Sequence, residues 1–163
     1  FDLVISNVPF GSYSVYDRYN ADLSTLPIHN YFIGRAARLV RPGGLVALVT
    51  SAGTLDAQGE AFRRWLAIEG RMELAGAIRL PSNAFEANAG TVVTTDILFL
   101  VKREGVGRKF ADHAFERTIT LRSEQVETPE SDDSEGPQVR TLVVNEYYHA
   151  RPGMMLGQMH FAD

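Results

Sequence analysis

Asn7-Val8-Pro9-Phe10 follows directly on the apolar run Phe1-Asp2-Leu3-Val4-Ile5-Ser6. A short strand that delivers a carboxamide, a proline-restrained turn and an aromatic ring to its carboxyl end makes a pocket for a flat amine. The same four residues also fit a strand that ends in an ordinary turn. The pattern around them has to decide between the two.

The elements that would position this motif are legible around it. Residues 3–6 are short, apolar and bounded by polar turn residues, which predicts a parallel strand buried on both faces. Residues 11–27 are polar and carry Tyr13, Tyr16 and Tyr19 without a steady period, so a long loop over the pocket is expected. From Ile28 the period turns helical. Ile28, Tyr31, Phe32, Arg35, Ala36, Leu39 and Val40 fall on one stripe, with Arg38 and Arg41 outside it. Pro42-Gly43-Gly44 stops that helix, and residues 45–50 read as a second buried strand. Residues 51–58 form a crossing loop. A second helix is expected over 60–69, with Phe62, Trp65 and Leu66 inward, Arg63 and Arg64 outward, and Gly70 at the C-terminal glycine position.

Residues 72–80 read as a third strand, 81–91 as a loop and 92–102 as a fourth strand. No helix long enough for a crossover separates these two strands. Parallel neighbours need a crossover of about a dozen residues or more, so the last strand is expected to be antiparallel. The predicted fold class is therefore α/β, a mostly parallel sheet with a final antiparallel strand. Residues 1–103 form the main unit and 104–123 an extension. Residues 124–138 carry Glu124, Glu127, Glu130, Asp132, Asp133 and Glu135 with little apolar surface to offset ordering entropy, so they read as an acidic disordered linker. Residues 139–163 form a C-terminal segment in which 141–144 regain strand character.

Bulk properties narrow the function classes. With 163 residues, 45% of them hydrophobic, the chain can bury one core. It begins at Phe1, inside an expected strand, and reads as a piece of a longer protein. No apolar stretch approaches the roughly 20 residues needed to span a bilayer, and no signal segment opens it. The absence of cysteine excludes disulfides and thiolate metal sites and fits a cytoplasmic setting. His29, His113, His149 and His160 show no ligand spacing, so no metal site is expected. A net charge of −4 argues against a stand-alone duplex-binding module.

Asn7-Val8-Pro9-Phe10, with Val8 in place of a first proline, resembles the Asn-Pro-Pro-Phe/Tyr motif of amino-methyltransferases, above all those acting on the exocyclic amine of adenine in DNA. Pro42-Gly43-Gly44, Ile78-Arg79-Leu80-Pro81 with Phe85, and Thr94-Thr95-Asp96-Ile97-Leu98-Phe99 resemble the downstream order of such enzymes in restriction–modification systems. Asn7-Val8-Pro9-Phe10-Gly11, Thr50-Ser51-Ala52-Gly53-Thr54-Leu55-Asp56 and Asn145-Glu146-Tyr147-Tyr148 resemble a narrower group, in which bacterial, phage and mobile-element proteins join a methylase to a helicase-like region. The resemblance covers residues 1–103 and, more loosely, 140–160.

The resemblance implies the second half of a Rossmann-like fold that uses S-adenosylmethionine and DNA. It makes the Asn7 side-chain oxygen and the Val8 carbonyl the two acceptors for an adenine amine. Such acceptors bind more strongly as the nitrogen becomes positive in the transition state. Phe10 would stack on the base after it is flipped out of the duplex. A backbone carbonyl survives any side chain, and Pro9 still restricts the backbone at Val8, so the valine is expected to loosen the loop without removing the acceptor. Phe85 fits a place facing the base opposite Phe10 and, nearly as well, a loop aromatic that caps the core. Thr94 and Thr95 fit the start of a strand better than a catalytic role. His29 fits a helix-end packing residue, and Arg35, Arg38 and Arg41 a solvated helix face. The tyrosines of the long loop fit either a DNA contact or a cover for the pocket.

The glycine-rich turn and acidic residue that bind the cofactor in such enzymes would lie before Phe1; Gly43-Gly44, Gly53 and Gly90 do not match them. The isolated chain is therefore expected to show negligible turnover, and its first strand to expose an apolar edge, so that the chain either dimerises through it or is partly unfolded near Phe1. Two alternatives remain. One is a non-catalytic DNA-positioning or assembly module derived from a methylase. The other is an amino-methyltransferase acting on RNA or on protein glutamine.

Overall fold

In the computed structural model, residues 1–11, 13–85, 93–105, 115–126 and 138–157 are described. Four strands make one sheet in the order β1-β2-β4-β3: β1 Leu3–Asn7, β2 Leu45–Ser51, β3 Met72–Arg79 and β4 Thr95–Lys102. β1 is parallel to β2 in the register Leu3↔Leu45 to Asn7↔Val49. β4 lies between β2 and β3 and is antiparallel to both. The antiparallel final strand expected from the missing crossover is thus present. It inserts into the sheet instead of adding at the edge, so β2 and β3 run parallel with β4 between them.

Helix α1 (Ile28–Leu39) packs with α3 (Ala61–Ile68) on one core built around Ile33, Ala37, Val40, Val46, Leu48, Leu66 and Leu100. The buried face of α1 is Ile28, Tyr31, Ile33, Gly34, Ala36 and Ala37. This corrects the expected stripe, because Phe32 and Leu39 are exposed and Arg35 is half-buried. The apolar arc of α1 is wider than the surface that covers it. Its uncovered part faces β1, whose Leu3 and Ile5 are also exposed, Ile5 to 72%. Val4, Ile5, Val8, Phe32, Leu39 and Leu48 line an open apolar cavity of about 350 Å³ between them. β1 is therefore covered on one face here, where burial on both was expected, because α1 packs on the side of Val4 and Val8 and leaves the side of Leu3 and Ile5 exposed.

The C-terminus of α1 is closed by a cation. Lys102 at the end of β4 is buried, and its Nζ donates to the carbonyls of Ala37 at 2.7 Å and Val40 at 3.0 Å. A buried ammonium on orphan helix carbonyls satisfies both partners and opposes the negative end of the helix dipole. Burial pulls the Lys102 pKa below its ordinary value. At the other end, half-buried His29 sits in the first turn of α1, and burial pushes its pKa below the ordinary 6.5. The stabilising contribution of neutral His29 is complete above pH 6.5 and is lost as pH falls towards the folded-state pKa. Thermal unfolding followed from pH 7.5 down to about 5.5 should show a falling midpoint, less steep in His29→Gln.

Arg63 differs from the sequence reading. It is 1% exposed, and its Nε donates to the carbonyl of Glu116 at 2.9 Å, because the chain at 115–117 crosses the α3 face that was expected to meet solvent. Arg64 is exposed as expected. The left-handed residue after α3 is Arg71 (φ 53°), not Gly70, which is buried with its backbone tight against Leu66.

A second sheet, not anticipated, pairs β5 Thr118–Val126 with β6 Gln138–Asn145 in antiparallel register. Strand structure therefore occupies the end of the expected extension, residues 124–126 of the expected linker, and residue 138. The remainder of that linker, 127–137, and the expected strand start at residue 92 lie outside the described residues. Helix α4 (Glu146–Ala150; Asn145 at its N-cap) and a 3₁₀ turn Pro152–Met154 follow. Tyr147, Tyr148, Phe115 and Val144 form a second core with Leu55, Ala77 and Leu98.

Candidate functional site

Asn7 is the last residue of β1, opposite Val49. It is exposed, and among the described residues its carboxamide has no hydrogen-bond partner. Val8 continues the ladder for one more bond, its N–H donating to the Val49 carbonyl at 3.0 Å. Its side chain is 2% exposed and packs in the α1 core beside Ile33 and Ala36. That burial gives Val8 a packing role that the sequence reading missed. A β-branched residue anchors the peptide by packing where a second proline would have stiffened it through φ. Pro9 is half-buried and Phe10 is 39% exposed. The motif therefore presents a free amide and an accessible ring on a peptide fixed at its middle.

The carboxyl ends of β1, β2 and β3 share one edge of the sheet with the start of β4, as the pairs Asn7↔Val49, Ser51↔Thr95 and Arg79↔Asp96 require. Phe85 ends the turn after β3 and is half-buried. β3 lies three strand spacings from β1, about 14 Å, so the loop after β3 must span that width to bring Phe85 near Phe10. Thr95 is the first residue of β4 and is fully buried, and the Thr94 carbonyl accepts from Ala52 N–H.

The second half of the tyrosine-rich segment is held against α1. The Asp17 carboxylate accepts from Tyr19 N–H, Asn20 Nδ2 and the Tyr31 hydroxyl, while Leu23 is buried beneath α1. Arg38 donates to both Asp22 oxygens and to Asn20, Arg41 to Asp2, and Arg35 lies 3.8 Å from Asp17. These arginines are engaged with the chain's own acidic residues. Tyr13, Tyr16 and Tyr19 are all exposed.

Sequence reasoning also missed a buried ionic cluster beside this edge. Arg79 makes a two-pronged bond to Asp96, Nε to Oδ1 at 2.8 Å and Nη2 to Oδ2 at 2.9 Å. It also donates to Asp56 at 2.6 Å and lies 4.4 Å over the Tyr148 ring. Burial pulls the guanidinium pKa down, but Asp96 and Asp56 outweigh it and hold the group above its ordinary value. Burial, then the Asp96 charge, raises the Tyr148 hydroxyl, and burial raises Asp56 against the pull of Arg79. The signal was present in the sequence: one charge stands inside each of two adjacent apolar runs, Ala77-Ile78-Arg79-Leu80 and Asp96-Ile97-Leu98-Phe99.

No group of three or more His, Cys, Asp or Glu placed to hold a metal ion occurs among the described residues. No described helix is long and apolar enough to cross a membrane.

No protein-family model matches the chain. It is 30% identical over 105 residues to "Defense against restriction protein B" of Escherichia phage P1, covering 63% of this chain and 4% of that protein. A solved chain of a type I restriction–modification system shares its fold at a TM-score of 0.52 and 23% identity, over 64% of this chain and 22% of that one. The M protein of the type I restriction enzyme EcoKI aligns at a TM-score of 0.45 and 26% identity, over 62% and 20% of the two chains. The described main sheet is part of a Rossmann-like α/β fold of the kind found in that restriction–modification chain. The chain spans a small part of each protein it matches.

Proposed function

We propose that this chain is the amine-holding half of a DNA methyltransferase that moves a methyl group from S-adenosylmethionine to the N6 amine of a flipped-out adenine. The observation that carries this reading is the free Asn7 carboxamide at the carboxyl end of a parallel strand, beside the pinned Val8 peptide and the exposed Phe10 ring. Ligands of open α/β sheets bind beyond the carboxyl ends of the strands. The Asn7 oxygen and the Val8 carbonyl accept the two amine hydrogens, which favours the pyramidal nitrogen and stabilises the charge it gains. Phe10 stacks on the base. The buried Val8 side chain also supports the enzyme reading over a decayed module, since it accounts for the departure from a double proline.

Among the described residues no glycine-rich turn of the kind that binds the methyl donor is present. Gly43 and Gly44 sit at the opposite end of β2 from Asn7, and Gly53 opens a helix of only four residues, α2 (Gly53–Asp56). The donor site is assigned to the part of the full protein that covers the apolar face of β1 and α1. The isolated chain is expected to be inactive and to associate through the open edge of β1. Adenine as acceptor is favoured by the order of motifs along the chain.

The test uses the full-length protein with methyl-labelled S-adenosylmethionine and DNA, followed by nucleoside analysis. Label in N6-methyladenine is expected. Label in cytosine, RNA or protein glutamine would overturn the reading. In the same assay Phe10→Ala should raise the KM for DNA roughly 10-fold, since stacking contributes on the order of 1–3 kcal/mol per base.

A further inference from the structure

The outer edge of β3 would stand open, because β3 pairs only with β4 among the described residues. The C-terminal segment closes it. Ala77 N–H donates to the Tyr147 hydroxyl at 3.1 Å, Met155 forms a parallel bridge with Arg79, and Leu156 N–H donates to the Arg79 carbonyl at 2.9 Å. Gly157 lies so close to the next turn that a Cβ there would come within 2.7 Å of Pro81 Cα. Asn145 joins the two parts from the other side. Its backbone N–H donates to Asp56 at 2.8 Å, and Asp56 in turn holds Arg79. The Asn145 side chain bonds Leu55, Phe115 and the first turn of α4. The contacts of Tyr147, Met155, Leu156 and Gly157 end at residues 77–81, from which the loop carrying Phe85 departs, and Asn145 reaches Arg79 only through Asp56.

We propose that residues 145–157 are a positioning clamp for the loop at 80–85, with Tyr147 and Gly157 as positioning residues for capture of the target base. This rests on the reading that the carboxyl edge of the sheet holds a base in DNA. The contacts act on residues 77–81, where that loop begins, and none of them touches the Asn7 peptide. Loosening the clamp therefore changes how the base is gathered in, while the acceptors stay in place. Small displacements of a substrate-positioning segment carry large kinetic consequences.

The test uses the full-length protein in two variants that alter single contacts. Tyr147→Phe removes the oxygen that accepts from Ala77 and keeps the ring, and Gly157→Ala drives a methyl group against Pro81. Both should raise the KM for DNA roughly 10-fold with little change in the KM for S-adenosylmethionine. Both should speed amide hydrogen exchange at residues 82–85 while exchange at Asn7 and Val8 stays as in the parent. Unchanged exchange at 82–85, or a loss of thermal stability with an unchanged KM for DNA, would overturn the clamp. The exchange measurement needs no turnover. Failure of the parent to methylate DNA at all would therefore strike the functional reading separately.

Discussion

Asp96→Ala will lower the stability of the protein by about 3–5 kcal/mol, enough to remove much of a typical domain's margin. Asp96 is fully buried and supplies both oxygens of the two-pronged bond to Arg79, which is itself 1% exposed. Removing the carboxylate leaves a buried guanidinium with Asp56 as its remaining acidic partner. The geometrically similar pair Arg38–Asp22 is the control. Its side chains are 35% and 55% exposed, so solvent screens it, and Asp22→Ala should cost less than about 1 kcal/mol. Urea unfolding of the two variants gives the comparison. Equal losses would show that the buried cluster is no more important to the fold than a surface ion pair.

Asn7→Ala in the full-length protein will reduce kcat for methyl transfer by about 100- to 1,000-fold, the usual effect of deleting one preorganised polar group from a transition state. Stability should stay within about 0.5 kcal/mol of the parent, because Asn7 is exposed and its amide has no partner among the described residues. The separation of the two effects is the informative part. A scaffold derived from a methylase would lose neither activity nor stability. A purely structural asparagine would lose stability first.

The alternation of helical and strand periods made most of the main sheet legible. The lack of room for a crossover after residue 80 was enough to make β4 antiparallel. Periodicity could not show which part of the apolar arc of α1 would be covered. That depends on what packs there, and Phe32 and Leu39 remain on the open part. Arg63 was read outward because long cations usually are, yet the chain at 115–117 lies over it and its guanidinium meets a backbone carbonyl. Residues 141–144 of β6 were legible as a strand, but its partner β5 escaped notice because it carries many polar residues and lies beside an acidic stretch, a composition that resembles a linker. At the site, the type and order of residues 7–10 were readable. The burial of Val8 depends on Ile33 and Ala36 of α1, and the reach of the C-terminal segment to residues 77–81 depends on contacts 70 or more residues apart in sequence; no local pattern encodes either.

The most direct test is a crystal structure of the full-length protein bound to a target duplex and a cofactor analogue. The distances to be measured run from the amine nitrogen of the extruded adenine to Asn7 Oδ1 and to the Val8 carbonyl oxygen. Both should be about 3 Å, with the Phe10 ring parallel to the base. An extruded base whose amine is held by other groups, with the Asn7 amide turned towards solvent, would contradict the account.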